Sequence, residues 1–425
     1  MSALANRYGH FLLSEKDDKR SRSDRLVQLV RGERAFRKAI SAQPSNAKAH
    51  FNIATVLAER ATASAETNCN CSKVKRDAFL ERARAHLLCA LAIEDNTRLD
   101  LETWSNLGAV CLRMGKLREA AEACENALRI DPAHSQSHWN LSSALRMSGE
   151  RNRDIERCAK LLKTRYRVKT VRIQHNPRAV LQGNSNSSLY VVAVCWGSKY
   201  GPEYVRKLYR GVSRNLTHPF RFVLFTDDAS KYATIDESSA PSTPSQPQFE
   251  VVQLSGMTLS SWWNKSLALF GPSGASATLG IPNDRILYLD LDTVVCGSLD
   301  DIAAYSGAFA ISGTETFLSE GELGGGYNSS LMMFRARFGL FIHPTADDLP
   351  GCAALVARFD HWLECTVLDA PTVEMLHPGQ MVDYKYVEQK CGNELPAGAR
   401  IVTFPLKPKP LDVVADVEWV RNHWV

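Results

Sequence analysis

The chain has 425 residues, 44% of them hydrophobic and 23% charged, which is ordinary globular composition and enough length for two domains. Its net charge of +5 hides a division: residues 1–180 hold 33 Lys and Arg against 20 Asp and Glu, and the remainder holds 18 against 26, as two modules with different tasks would. No apolar run approaches the ~20 residues of a membrane span, and Met1 to His10 lack the charged-then-apolar pattern of a signal peptide.

Eleven cysteines are an odd number, and Cys89, Cys111, Cys124 and Cys195 sit inside apolar patterns. Buried thiols in a reducing compartment are expected rather than a disulfide framework, so the location is read as cytoplasmic. Cys69 and Cys71 lie close together in a polar stretch, but two ligands without partners do not define a metal site.

In chain order, residues 1–23 are an N-terminal extension and the pattern that comes next is helical. Trp104, Leu107 and Cys111, three or four residues apart, form one helical stripe. Gly108 and Ala120 are small where two antiparallel helices would cross, Gly115 ends the first helix, and Pro132 comes after the second. His138, Leu141, Ser142, Leu145 and Gly149 repeat these positions more weakly, and His50, Ile53 and Ala54 supply an earlier first helix. The pattern resembles the tetratricopeptide repeat. That resemblance implies an all-α solenoid over residues 24–165, with an insertion at about 61–77 expected as a loop. It also implies a protein partner or acceptor bound through the repeats, the alternative being that they only pack within the protein or against a twin subunit.

Residues 151–178 hold ten Lys and Arg against two Asp and Glu. Without aromatic interleaving or a nucleic-acid motif this reads as a solvated helix face, and no nucleic-acid partner is expected. Residues 166–187 form a basic segment and linker, ending in the polar run from Gln182 to Ser188.

The second module, 188–425, begins with alternating strand and helix patterns. Leu189 to Val194 and Arg221 to Phe225 read as strands, with a helix from Tyr204 to Arg214 between them, so the two strands should be parallel. Ile286-Leu-Tyr-Leu289 is a strand buried on both faces that ends in Asp290-Leu-Asp292. Carboxylates are costly to bury without a cation or hydrogen-bond donors, so this pair points to a hard divalent metal, Mn²⁺ or Mg²⁺, the alternative being a strand end whose Asp residues cap a turn. Trp196, Tyr200, Asp227 and Asp228 fall at neighbouring strand ends, where ligands of such sheets bind.

Cys195-Trp-Gly197, Thr226-Asp-Asp228, Ser261-Trp-Trp-Asn-Lys265, Tyr288-Leu-Asp-Leu-Asp292 and Gly325-Gly-Tyr-Asn-Ser-Ser330 resemble the signatures of GT-A-fold glycosyltransferases, the glycogenin-like and bacterial galactosyltransferase group. The resemblance implies an α/β, Rossmann-like nucleotide-diphosphosugar transferase domain over 188–425. The donor is expected to be a UDP-sugar, with Asp290 and Asp292 as metal ligands. It also implies Lys265 as a second positive group on the diphosphate, unless it is a surface lysine beside a Trp-rich core. Trp196 or Tyr200 is expected to stack on the base, Asp227 or Asp228 to accept from base or ribose, and Asn328 and Ser329 to lie near the sugar. The sequence departs from the family at Pro405-Leu406, where a His that commonly serves as third metal ligand and a Gly are usual.

Asp383 is the candidate general base of an inverting reaction, with Glu364 and Asp348 as weaker options, and Gln380 is the candidate amide of a retaining one. Two rival readings remain. One is a haloacid-dehalogenase-type phosphatase with Asp290 as nucleophile, and the other is a scaffold built of repeats and a decayed transferase domain.

Overall fold

The computed structural model describes residues 22–65, 70–93, 97–173, 187–232, 248–255, 262–314, 317–318, 326–340, 342–356 and 358–425. Most of the N-terminal extension, Cys69, the linker residues 182–186, Ser261 and Gly324-Gly325 lie outside these. The chain divides into two compact units, Met1–Asp154 with Ala353–Leu355, and Ile155–Cys352 with Val356–Val425.

The first unit is a succession of antiparallel helix pairs: Arg22–Ala42, Ala47–Ala65, Asn70–Ala92, Thr97–Arg113, Leu117–Ile130 and Ser135–Met147. Gly108 explains the tightest crossing. A Cβ there would stand 2.4 Å from Cys124 Sγ and 3.4 Å from the Ala120 carbonyl, so only hydrogen fits. Gly115 (φ +74°) and Gly149 (φ +81°) end their helices in the left-handed region. The inserted residues expected as a loop are largely helical instead. One helix runs to Ala65 and the next starts at Asn70, with Ala61, Ala63 and Ala65 in the first and Lys73, Lys75 and Arg76 in the second as good helix formers. Under these helices Glu33, 5% exposed, is ringed by Arg37, Arg60 and Arg82.

The second unit starts within the helix Arg151–Tyr166, earlier than the boundary read from the repeats. Strand β1 (Val171–Arg172) pairs in parallel with β9 (Val367–Leu368). Strands β2 (Leu189–Cys195), β3 (Arg221–Thr226), β4 (Gln248–Gln253), β5 (Arg285–Leu289), β7 (Phe309–Gly313) and β8 (Tyr327–Arg335) form one six-stranded sheet in the order β4-β3-β2-β5-β8-β7. β2 is parallel to β3 and β5, as the helix Pro202–Asn215 between β2 and β3 requires. β8 runs antiparallel to both β5 and β7. Strands β6 (Thr293–Val295), β10 (Met381–Asp383) and β11 (Ile401–Thr403) form a second sheet in the order β10-β11-β6. β2 is buried along its whole length and β5 from its second residue onward, which accounts for their unbroken apolar sequence. On one face of these strands Val191, Ala193, Leu287 and Leu289 enter a core shared with Tyr204, Leu208 and Val212 of the Pro202–Asn215 helix.

Candidate functional site

Asp290-Leu-Asp292 sits where the chain leaves one sheet for the other. β5 ends at Leu289, and β6 begins at Thr293 against β11. The Asp290 amide still bonds the Ser330 carbonyl of β8 at 2.8 Å, so the start of an antiparallel neighbour is held beside the end of β5.

Two lysines occupy the two carboxylates. Lys265, on the helix Trp263–Phe270, donates to Asp290 Oδ1 at 2.8 Å and to both the carbonyl and the hydroxyl of Ser329 at 2.9 Å. It is 7% exposed, so the surface-lysine alternative is wrong. Trp262 and Trp263 stack at 3.7 Å and pack on Phe359 and Trp362, which walls this lysine in apolar surroundings. Lys409 donates to Asp292 Oδ2 at 2.6 Å and to the carbonyls of Phe404 and Pro405. The Phe404-Pro405 segment thus gives its backbone oxygens to an ammonium group. Sequence reasoning misses Lys409, although it stands five residues after Phe404, because its partner lies 117 residues away.

Two phenols complete the ring. Tyr288 donates to Asp290 Oδ1 at 2.5 Å, and Tyr200 donates to Asp292 Oδ2 at 2.7 Å. Burial first, and then the neighbouring carboxylates, raise both phenol pKa values above the ordinary range, which keeps both as donors. The hydroxyl of Tyr200, whose ring is expected against a base, is bonded to Asp292. Lys199 lies over the Tyr200 ring at 4.8 Å. Burial and then the Lys409 charge lower its pKa, while Asp292 and Asp290 oppose them. Among the described residues no hydrogen bond falls on Asp290 Oδ2 or Asp292 Oδ1. Each carboxylate therefore has one oxygen fixed by protein donors and one left over, a donor set that fits a hard divalent cation.

The remaining candidates have mostly supporting positions. Asp227 Oδ2 accepts the Gly197 amide at 2.9 Å and shapes the loop after β2, on which half-buried Trp196 stands. Asp228 accepts from the amide and hydroxyl of Ser230, whose bonds hold its carboxyl low, and so caps the short turn after β3. Asn328 and Ser329 are 3% and 6% exposed. Asn328 Oδ1 takes the Ser330 amide at 2.9 Å, and Ser329 gives its amide to Asp360 at 2.7 Å. No sequence motif singles out Asp360. Its helix, Phe359–Thr366, also carries Glu364, which accepts the Tyr327 amide at 2.9 Å, so Glu364 supports β8.

The acid–base candidates lie in β10 and just before it. Asp383 is fully buried and its Oδ1 caps the helix Tyr384–Lys390 through the Tyr386 amide at 2.9 Å. That bond commits Asp383 Oδ1 to the helix end. Gln380 precedes Met381, whose ladder partners are Ile401 and then Val295. The Asp292 end of the ladder is the other one, where Asp383, Thr403 and Thr293 align. At ~3.3 Å per residue this puts Gln380 roughly 10 Å along the strands from that end.

Residues 101–134 match the tetratricopeptide repeat family model. The chain thus carries a tetratricopeptide repeat followed by an α/β unit. No curated protein matches it. Among solved structures it is similar to the protein MamA, with 15% identity and a TM-score of 0.26 over 32% of this chain and 69% of that one. It is similar to an O-GlcNAc transferase of Thermobaculum terrenum, with 16% identity and a TM-score of 0.28 over 59% and 42% of the respective chains. A third similar structure is the galactosyltransferase LgtC with donor and acceptor sugar analogues, with 10% identity and a TM-score of 0.38 over 55% and 93%. This chain therefore spans less than half of the O-GlcNAc transferase. At TM-scores this low the likenesses decide nothing about chemistry, and the functional reading rests on the side chains around Asp290 and Asp292.

Proposed function

We propose that the α/β unit is a GT-A-type glycosyltransferase that takes a nucleotide-diphosphate sugar, a UDP-sugar first among them, together with Mn²⁺ or Mg²⁺. The observation that carries this reading is the pair Asp290 and Asp292, each with one oxygen bound by a lysine and a tyrosine and one oxygen left over. Those second oxygens would hold the cation, which supplies charge to offset the diphosphate leaving group. Lys199, Lys265 and Lys409 bring positive charge to the carboxylate pair, which suits a polyanionic ligand. Tyr288 and Tyr200 keep the carboxylates in place, and Asp227 sets the loop that carries Trp196 for the base. The described cysteines are thiols, which accords with a reducing, cytoplasmic setting, and no helix among the described residues is long and apolar enough to cross a membrane.

The repeats would present a protein partner or the acceptor. A groove in the helical unit, lined by Thr55, Ala58, Thr62, Asn106, Ala109 and Arg113, has the mixed lining a peptide segment requires. A phosphatase with Asp290 as nucleophile is disfavoured, since β2, β3 and β4 precede β5 in the sheet. A scaffold that binds donor without turnover is the second reading. The capping role of Asp383 and the remote end occupied by Gln380 favour it, because they leave the acceptor base unassigned.

Calorimetry is expected to show UDP binding that EDTA weakens and that Asp292→Ala removes while the protein stays folded. UDP binding of equal strength in Asp292→Ala without metal would overturn the assignment. Mass spectrometry after incubation with a panel of nucleotide sugars and Mn²⁺ then separates the enzyme, which hydrolyses or transfers a donor, from the scaffold, which does neither.

A further inference from the structure

Away from the carboxylate pair, three metal-ligating side chains meet inside the second unit. Cys158 lies on the helix Arg151–Tyr166, and His361 and Cys365 lie on the helix Phe359–Thr366. Spaced by four, His361 and Cys365 share one helix face. The two sulfurs and a His361 ring nitrogen all lie within 4.8 Å of one another. Cys158 and Cys365 are fully buried and His361 is 4% exposed.

From this cluster we infer a binding site for a thiophilic closed-shell cation, Zn²⁺ or Cu⁺, held by Cys158, His361 and Cys365. Two thiolates and an imidazole are the donor set such ions select, whereas Mg²⁺ and Mn²⁺ select oxygen. Zn–S bonds of about 2.3 Å and Zn–N bonds of about 2.0 Å bring ligand atoms to about 3.5–3.8 Å from one another, so a shift of at most about 1.3 Å closes the set. Zn²⁺ would neutralise the two buried thiolates, and with Cu⁺ the Arg157 guanidinium, 3.2 Å from Cys158 Sγ, would offset the charge that remains.

The ion would fasten the helix Phe359–Thr366 from one side while Asp360 and Glu364 of that helix hold the amides of Ser329 and Tyr327. Ser329 in turn bonds Lys265, which bonds Asp290. The site is thus a clamp on the strand that braces the carboxylate pair, and it stands whether or not that pair binds a donor.

The test uses full-length protein purified with a reductant and no chelator. Elemental analysis is expected to find about one Zn²⁺ or Cu⁺ per chain and to say which. Protein stripped of metal and titrated with Co²⁺ is expected to develop thiolate-to-cobalt charge-transfer absorption, which oxygen ligands at Asp290 and Asp292 do not give. Cys365→Ser should lose both the ion and the band, whereas Asp292→Ala and a Cys69→Ser, Cys71→Ser double variant should keep them. If Cys365→Ser does not fold, X-ray absorption of the metal bound to wild type decides: its first shell should hold two sulfurs, at about 2.3 Å for Zn²⁺. Reduced protein that takes up none of these ions, uptake unchanged in folded Cys365→Ser, a bound ion with no sulfur in its first shell, or a Cys158–Cys365 disulfide in place of metal would each overturn the assignment.

Discussion

Replacing Lys409 with methionine tests the charge arrangement most directly. The side chains of Lys409 and Asp292 are 12% and 9% exposed, so their contact is close to a buried ion pair. Removing one partner of such a pair typically costs about 3–5 kcal/mol, because the other charge stays buried. Tyr200 still donates to Asp292, and Lys409 is not fully buried, which sets the expectation at the low end, about 3 kcal/mol. For a unit of this size that is a fall of roughly 6–12 °C in melting temperature. A divalent cation can supply the missing charge, so Mn²⁺ with UDP should raise the melting temperature more in Lys409→Met than in the wild type. Asp292→Asn in the same background should recover part of the loss, and the double-mutant cycle reads the coupling. Scanning fluorimetry with and without Mn²⁺ and UDP measures all four proteins. A variant that melts with the wild type and binds UDP equally well would refute the reasoning, since Lys409 would then be neither a counter-ion nor a ligand.

A fragment 155–425 should be soluble and melt cooperatively, whereas 186–425, which lacks β1 and the helix bearing Cys158, should aggregate or melt well below it; equal melting of the two would place the boundary in the linker instead. Gly108→Ala should cost about 2 kcal/mol by overpacking against Cys124, and adding Cys124→Ala should return much of it in urea titrations monitored by circular dichroism. His343, bonded to Ser266 at 3.0 Å, has its pKa pushed down by burial to about 4. The folded value lies below the unfolded one, so its contribution is complete above the unfolded pKa of about 6.5 and is lost progressively as pH falls from there through about 4, about 3 kcal/mol in all. His343→Gln should flatten that part of the stability profile, and an unchanged profile would remove His343 as its cause.

The features legible in the sequence are those written in neighbouring residues. Periodicity locates the repeat around Trp104 and the strands β2, β3 and β5, and the acids after Leu289 mark the end of a buried strand. Roles settled by distant partners are not legible. Tyr200 reaches Asp292 across 92 residues and Lys409 reaches it across 117, and no local pattern records either contact. Asp383 resembles a base because a carboxylate after an apolar run reads the same whether it faces a ligand or caps the next helix. The insertion near Ala65 suggests a loop by its polarity, yet polar residues with good helix propensity extend helices as readily as they form loops.

The β1–β9 pair has a consequence for the order in which the protein acquires its structure during synthesis. Arg172 meets Asp369 across 197 residues, and β1 cannot be paired until that later stretch exists. At ~5–20 residues per second a ribosome needs roughly 10–40 s to supply it. The repeats ahead of it are built largely from contacts close in sequence and can form from the start of that interval. For that time Val171 and Arg172 have no strand to pair with, and it is the interval in which a chaperone or a nascent-chain protease would find them most open.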